Sequence, residues 1–299
     1  MVKMLKQERK KDGVTILFNS IFRPVQKTRA KSFKICKQLL TGQTGFEIGG
    51  PSHIFTKNGL LPIYPICGCL DNCNFSQTTI WEGTIREGRN FHYHKKRPPG
   101  YQYIRDAIKL DGFDSNSYDF VLSSHTLEHI ASPLQALYEW KRVLKEDGLM
   151  VLVLPHKDNT FDHLRPVTSL AHLIEDFERE IGEDDLTHLP EILELHDLEM
   201  DSEAGSFEEF QKRSIKNVEN RCLHHHVFNT ELVLTILNHI GLRICSAEPV
   251  LSHDIIAVGQ KLPSGQVPDN RPFLSLQAEY RHCSPFPSDR KVSEVTQSR

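Results

Sequence analysis

Apolar residues along this chain recur with two different periods, and the alternation between them predicts a layered α/β protein. Over 30–40, Phe33, Cys36, Leu39 and Leu40 share one helical face, and Gly42 follows as a stop. Short apolar runs at 46–48, 61–66, 101–105, 118–123 and 149–154 read as strands. The run Phe120, Val121, Leu122 is of the kind that parallel sheets bury on both faces. The strongest helix signal starts at Ser132-Pro133, an N-cap followed by proline at the first helical position. It turns Leu134, Leu137, Val143 and Leu144 inward and is expected to end at Gly148. A helix over 230–240 closed by Gly241 and two strands, 242–250 and 254–260, complete the pattern. The link between those two strands is too short for a crossover, so they are expected to be antiparallel.

Strands separated by helix-length crossovers imply a Rossmann-like, mostly parallel seven-stranded sheet with an antiparallel last strand and a helical insertion. The expected organisation is an N-terminal extension over 1–28, one domain over 29–261 with the insertion at about 160–220, and a mobile tail over 262–299. That tail holds five prolines among polar residues, which is why no packed structure is expected there. The stretch 67–100 reads mostly as an irregular excursion.

Composition narrows the function classes. The chain has 299 residues, of which 38% are hydrophobic and 25% charged, as in an ordinary globular protein. A net charge of −3 supplies no field that would gather nucleic acid or anionic membrane, and the basic start (Lys3, Lys6, Arg9, Lys10, Lys11) reads as a solvated tail. No apolar run approaches the roughly 20 residues of a bilayer span, and no apolar signal core opens the chain. A soluble, cytoplasmic protein is expected. The seven cysteines are scattered and odd in number, which suits a reducing compartment, and Cys67, Cys69 and Cys73 lack the paired spacing of a structural zinc site. No resident metal is expected.

The candidate chemistry begins at Gly45-Phe46-Glu47-Ile48-Gly49-Gly50-Pro51-Ser52, an apolar strand running into an acid and two glycines. Glycine lets backbone approach a ligand, and open α/β sheets bind ligands beyond the carboxyl ends of their strands. Downstream, Arg105-Asp106-Ala107 follows a strand, and Tyr118-Asp119-Phe120-Val121-Leu122-Ser123-Ser124-His125 runs into Leu127-Glu128-His129. Then come the helix, Gly148 and a fifth strand. His226-Val227-Phe228-Asn229-Thr230, a helix and Gly241-Leu242-Arg243 lead into the closing pair.

In order and spacing this series resembles a class I S-adenosylmethionine-dependent methyltransferase of the small-molecule, type 11-like group, over about residues 41–261. The glycine triplet of that family is incomplete here, and Pro51 stands where a long helix would start. The resemblance implies S-adenosyl-L-methionine as cofactor, held by Glu47, Gly49, Gly50, Pro51 and Ser52, by Asp71 on the ribose, by Asp106 and Ala107 on the adenine, and by Ser123 and Ser124. A small-molecule acceptor follows from the same resemblance, with neither nucleic acid nor membrane as partner.

A sulfonium methyl is already an activated electrophile, so the protein must align the acceptor and, for a hydroxyl, remove its proton. His125 and His129 emerge from the fourth strand where an acceptor would approach and are the candidate bases. Beyond the fifth strand, His156, Asp162, His163 and Arg165 are candidate substrate contacts, with Arg165 suited to an anionic group, and His225 and His226 join them near the last crossover. His224-His225-His226 could also build a metal site with His163 and Asp162 if the loops meet, although consecutive residues of an extended chain alternate in direction. The crowd of histidines favours an oxygen nucleophile. Two rival readings remain: a methyltransferase-like domain that binds nucleoside or a partner without catalysis, and a zinc peptidase, since His125-Thr126-Leu127-Glu128-His129 matches H-x-x-E-H. The peptidase motif needs a mid-helix setting, whereas here it follows a buried strand.

Overall fold

Successive residues of the central strands belong to two different apolar layers, one on each face of a single sheet. Val121, Met150, Leu152, Ile255 and Ala257 join one layer, while Phe120, Leu122, Val151, Ile256 and Val258 join the other. The period of two in side-chain direction, with both faces apolar, is what a covered parallel sheet requires. The computed structural model describes residues 29–290; the expected extension over 1–28 lies outside the described residues.

The strands are β1 (Thr44–Ile48), β2 (Cys69–Asn74), β3 (Thr78–Thr79), β4 (Gly83–Thr84), β5 (Gly88–Phe91), β6 (Gly100–Ile104), β7 (Tyr118–Ser124), β8 (Leu144–Pro155), β9 (Leu242–Val250) and β10 (Asp254–Lys261). Eight of them form one sheet in the order β5-β6-β2-β1-β7-β8-β10-β9. The pairs β6/β2, β2/β1, β1/β7 and β7/β8 are parallel, whereas β10 runs antiparallel to both β8 and β9. This is the expected Rossmann-like sheet with one strand more, because β5 adds an antiparallel edge to β6. β3 and β4 form a separate hairpin.

Helix α1 (Phe33–Leu40) precedes β1 and buries Cys36 and Leu40, ending before Gly42, whose φ of 78° supplies the left-handed stop. Helix α2 (Pro133–Val143) connects β7 to β8 and packs Leu134, Leu137 and Trp140 on the sheet. After β8 the insertion carries α3 (Leu170–Glu178), α4 (Leu189–Leu195), α5 (Phe207–Ile215) and α6 (Asn217–Asn220). Helix α7 (Thr230–His239) then leads to β9, with the Asn229 side chain accepting from the Leu232 N–H as its cap.

Three expectations are corrected. The second strand is Cys69–Asn74 and not 61–66; Leu61, Ile63 and Tyr64 are buried by packing beneath the sheet, without pairing in it. The true β2 was hard to see because its inward residues Asn72 and Asn74 are polar. The amide of Asn72 accepts from the Gly50 N–H and donates to the Gly50 carbonyl, both at 3.0 Å, and donates also to Gln102. Second, Gly148 does not stop a helix; α2 ends at Val143 and Gly148 lies within β8, where a Cβ would press on the Asp119 carbonyl at 2.8 Å.

Third, 262–290 is not a mobile tail. It carries α8 (Arg271–Leu274), α9 (Glu279–Cys283) and α10 (Pro287–Arg290), and it is tied down by polar groups, which explains why low apolar content misled. Asn270 accepts from the Ile244 N–H and donates to the Leu242 carbonyl at 2.8 Å each, while Ala278 and Tyr280 join the core. The buried Asp289 bonds to His156, Thr230 and Ser284. Among the described residues no helix is long and apolar enough to cross a membrane.

Candidate active site

The carboxyl ends of β1 and β7 interlock, and that junction forms the floor of the main cavity. Gly49 leaves β1 with φ 80°, and a Cβ on it would overlap the Thr126 hydroxyl. Thr126 reaches across from the turn after β7, donating toward the Ile48 and Ser124 carbonyls at 3.3 and 3.2 Å. His125 itself sits at φ 50°, a left-handed conformation rare for a residue with a side chain. The resulting cavity of about 980 Å³ opens beyond the ends of β1, β2, β7 and β8, under the β3–β4 hairpin and beside the insertion. That volume reaches the upper end of ordinary ligand pockets, enough for a nucleoside cofactor together with a small second molecule.

One wall of the cavity is polar. His125 Nε2 lies 2.9 Å from Asp254 Oδ1, and its Nδ1 lies 3.7 Å from Glu128 Oε1. Burial alone would pull this imidazole down, but the hydrogen bond to Asp254 and the charges of Glu128 and Asp254 raise it above the ordinary histidine value. Burial would raise Asp254, yet its bonds from His125 and Ser252 hold it below the usual carboxylate range. Asp254 is therefore an acceptor at neutral pH, Nε2 donates to it, and Nδ1 of neutral His125 carries a lone pair toward the cavity.

Glu128 is 0% exposed, lines the cavity, and neither of its carboxylate oxygens has a hydrogen-bond partner. Burial raises its pKa against the opposing charges of His125 and His224. His129 bonds through Nδ1 to the Leu223 carbonyl at 3.1 Å, and burial with the neighbouring His224 lowers it well below the ordinary value. It is thus neutral, with a bare lone pair on Nε2. His224 bonds through Nδ1 to Asp162 at 2.6 Å, leaving Nε2 toward the cavity. One ligating atom from each of Glu128, His129 and His224 lies within 4.8 Å of the others.

The remaining sequence candidates fall into three groups. Gly49, Pro51, Ser52, Ser124, His125 and His129 do line the cavity. Several others support it from behind. Glu47 is fully buried and accepts from the Ser52 N–H, the Ser52 hydroxyl and the Tyr64 hydroxyl; it braces the turn through Gly50. Asp162 positions His224 and pairs with Arg165; against a burial effect that would raise it, His224 and Arg165 hold it at about 2.

The third group is committed elsewhere, and for these the direct contacts expected are corrected. Asp71 lies inside β2, accepting from the Tyr101 N–H and the Tyr118 hydroxyl, away from the strand end; Asn74 and Phe75 occupy that end and line the cavity. Ser123 is buried within β7, and Ala107 gives its carbonyl to the Trp140 indole. Arg165 is 1% exposed and shares its guanidinium among Asp162, Glu191 and the His224 and His225 carbonyls, leaving nothing for an anionic ligand. His156 is sealed beneath Phe286 and bonded to Asp289. His163 faces Asp197, His225 bonds to Asn217, and His226 bonds to the Ala131 carbonyl. Asp106 stands at the same rim as Gly49 but accepts from Arg221 at 3.0 Å and does not line the cavity.

His253 and Asp254, which line the cavity beside His125, are the site residues that sequence reasoning passed over, while Glu128 and His224 entered it only through the H-x-x-E-H match and the histidine run. Glu128 was visible only as a letter between two histidines, and nothing in a run of three histidines says which one faces inward. Asp254, at the start of β10, is 129 residues from the histidine it serves.

The methyltransferase domain family model matches residues 73–152, from the end of β2 through most of β8. A search of curated proteins finds no match. Among solved structures, the Haloferax volcanii complex between a methyltransferase activator and a protein assigned as a methyltransferase is similar at 12% identity, covering 77% of this chain and 88% of that one with a TM-score of 0.45. An S-adenosylmethionine-dependent methyltransferase from Aquifex aeolicus is similar at 14% identity, 77% and 88% coverage and a TM-score of 0.40. Another from Methanosarcina mazei stands at 14%, 76% and 97%, and 0.42. At such scores these likenesses say nothing of acceptor or mechanism. The domain match covers only residues 73–152; with the mostly parallel sheet it supports a class I S-adenosylmethionine-dependent methyltransferase, an enzyme whose cofactor is S-adenosyl-L-methionine. The cavity fits that cofactor, since the Gly49 backbone forms part of its wall without a side chain in the way.

Proposed function

We propose that the protein methylates a small hydroxylated molecule at oxygen, with His125 as the base. The observation that carries this reading is the Asp254–His125–Glu128 series inside the cavity. The cofactor supplies a sulfonium methyl group that needs no further activation. With that cofactor bound, His125 Nδ1 would take the acceptor's hydroxyl proton, and the methyl group would pass to the acceptor oxygen with the carbon–sulfur electron pair left on sulfur. Asp254 orients the imidazole and stabilises its charged form. Glu128 is free to accept a hydrogen bond from the acceptor. In this reading Gly49, Gly50, Pro51, Ser52, Ser124 and Asn74 surround the cofactor. Asp106, held by Arg221 outside the cavity lining, takes no direct part in this reading. One domain, the expected 29–261 together with the packed segment 262–290, performs the reaction, and seven unpaired cysteines support a reducing, cytoplasmic setting.

The test is calorimetric binding of S-adenosylmethionine to the full chain, followed by labelled methyl transfer to panels of hydroxylated, amine and macromolecular acceptors. His125→Ala should leave cofactor affinity within about twofold and lower transfer by ~100-fold or more. Transfer only to amines or macromolecules, or an unimpaired His125→Ala, would overturn the reading.

A second reading is favoured by one observation: His129 and His224 have Nδ1 held by a carbonyl and a carboxylate, so that both Nε2 atoms are free beside Glu128. Two imidazoles and a carboxylate with open positions could hold a divalent ion that polarises the acceptor oxygen. Chelator-sensitive transfer, with retained cofactor binding, distinguishes it.

A further inference from the structure

Away from the sheet, the insertion has little apolar support of its own. Ile192, Ala204, Phe210 and Leu223 form its separate core, while α3 packs against α2 and α7 with Leu173 in the main core. Between those two cores stand four ligating side chains. His172 and Asp176 lie one turn apart on α3, His188 precedes α4, and His226 lies on the segment that returns toward α7. One ligating atom of each lies within 4.8 Å of all the others. His172 Nε2 is 2.9 Å from His188 Nε2 and 3.4 Å from Asp176 Oδ2. The three rings meet steeply, at 88°, 74° and 59°, as ligands approaching one point from separate directions do.

The hydrogen bonds around this cluster leave lone pairs unused. His226 Nε2 lies 3.0 Å from the Ala131 carbonyl and 3.7 Å from Asp176 Oδ2, and its Nδ1 is buried without a partner in a residue 1% exposed. Asp176 Oδ2 is likewise buried without a hydrogen bond. Orphaned polar atoms of this kind are costly, and two in one cluster call for a missing partner.

We propose that His172, Asp176, His188 and His226 bind a divalent zinc ion that holds the insertion together. Three imidazoles and one carboxylate are zinc donors, and bonds of about 2.0–2.1 Å in a tetrahedron set ligand atoms about 3.3 Å apart. The distances among His172, His188 and Asp176 bracket that value. All four positions are filled by protein, which makes the site structural, and none of the four lines the cavity. The ion ties α3 to the start of α4 and to the return segment, two residues from His224 in the cavity wall.

The test uses full-length protein purified with zinc and without chelator. Elemental analysis should show one zinc equivalent more in the wild type than in His188→Ala, and a strong chelator should lower the wild-type Tm but not that of the variant. Cobalt substitution should give the visible absorption of a four-coordinate ion in the wild type. His188→Cys, which keeps a ligand, should retain the metal, so that a failure of His188→Ala to fold still leaves a decisive comparison. Equal zinc content in the wild type and His188→Ala, or a wild type without zinc whose Tm ignores added metal, overturns the proposal. Neither readout depends on methyl transfer.

Discussion

His125 and Asp254 meet at 2.9 Å across the sheet, one at the end of β7 and the other at the start of β10, with β8 between them. The antiparallel direction of β10 is what makes this possible, since its first residue arrives at the edge where the parallel strands finish.

Asp254→Asn should therefore lower the His125 pKa, because the variant removes the carboxylate charge that raises it. NMR titration of labelled imidazole should show the downward shift directly. The acidic limb of the methyl-transfer profile should move to lower pH along with it. An unmoved His125 titration would mean that the pair has no part in tuning the base.

Gly49→Ala should damage both fold and cofactor binding. The left-handed φ costs a residue with a Cβ about 1–2 kcal/mol, and overlap with Thr126 adds to that. Urea unfolding should report the loss, and calorimetry should show weaker S-adenosylmethionine binding. Gly42→Ala, with the same sign of φ but open space around its Cβ and far from the cavity, should cost stability alone.

Glu128→Gln should make the protein more stable while slowing transfer. A buried carboxylate without partners is a net cost, and replacing it with a neutral amide should return about 1 kcal/mol. Higher Tm with reduced turnover is the expected pairing; a lower Tm would show that the charge is held by something other than the groups described.

Glu47 makes stability depend on pH. Burial outweighs the hydrogen bonds from Ser52 and Tyr64 and pushes its carboxyl up to about 7. An unfolded glutamate titrates near about 4.3, so between those values the native state keeps a proton that the unfolded chain has lost. Stability from this group falls as pH rises through that window and levels off above it. The difference between wild-type and Glu47→Gln unfolding curves should amount to something on the order of 3 kcal/mol.

Much of this architecture was legible from local pattern. The alternation in β7, β8 and β10 needed two apolar layers, and the Ser132-Pro133 start and the Gly241 stop announced helices that the structure contains. Such signals survive because they are written in neighbouring residues. β2 and the segment 262–290 were missed for the opposite reason: Asn72, Asn270 and Asp289 are buried through hydrogen bonds to partners 22 or more residues distant, which no hydrophobicity pattern records.

The chain's order of elements and its glycine turn were enough to set the sheet and the rim where its main cavity opens. Which polar side chains reach that rim was decided only in three dimensions. Arg165 and His156 looked like free recognition groups and are spent inside the protein, while Glu128, His224 and Asp254 became the cavity wall. The physical reason is that a charged or imidazole side chain serves function only where its hydrogen-bonding capacity is left over. That remainder is set by partners brought from remote parts of the sequence by folding.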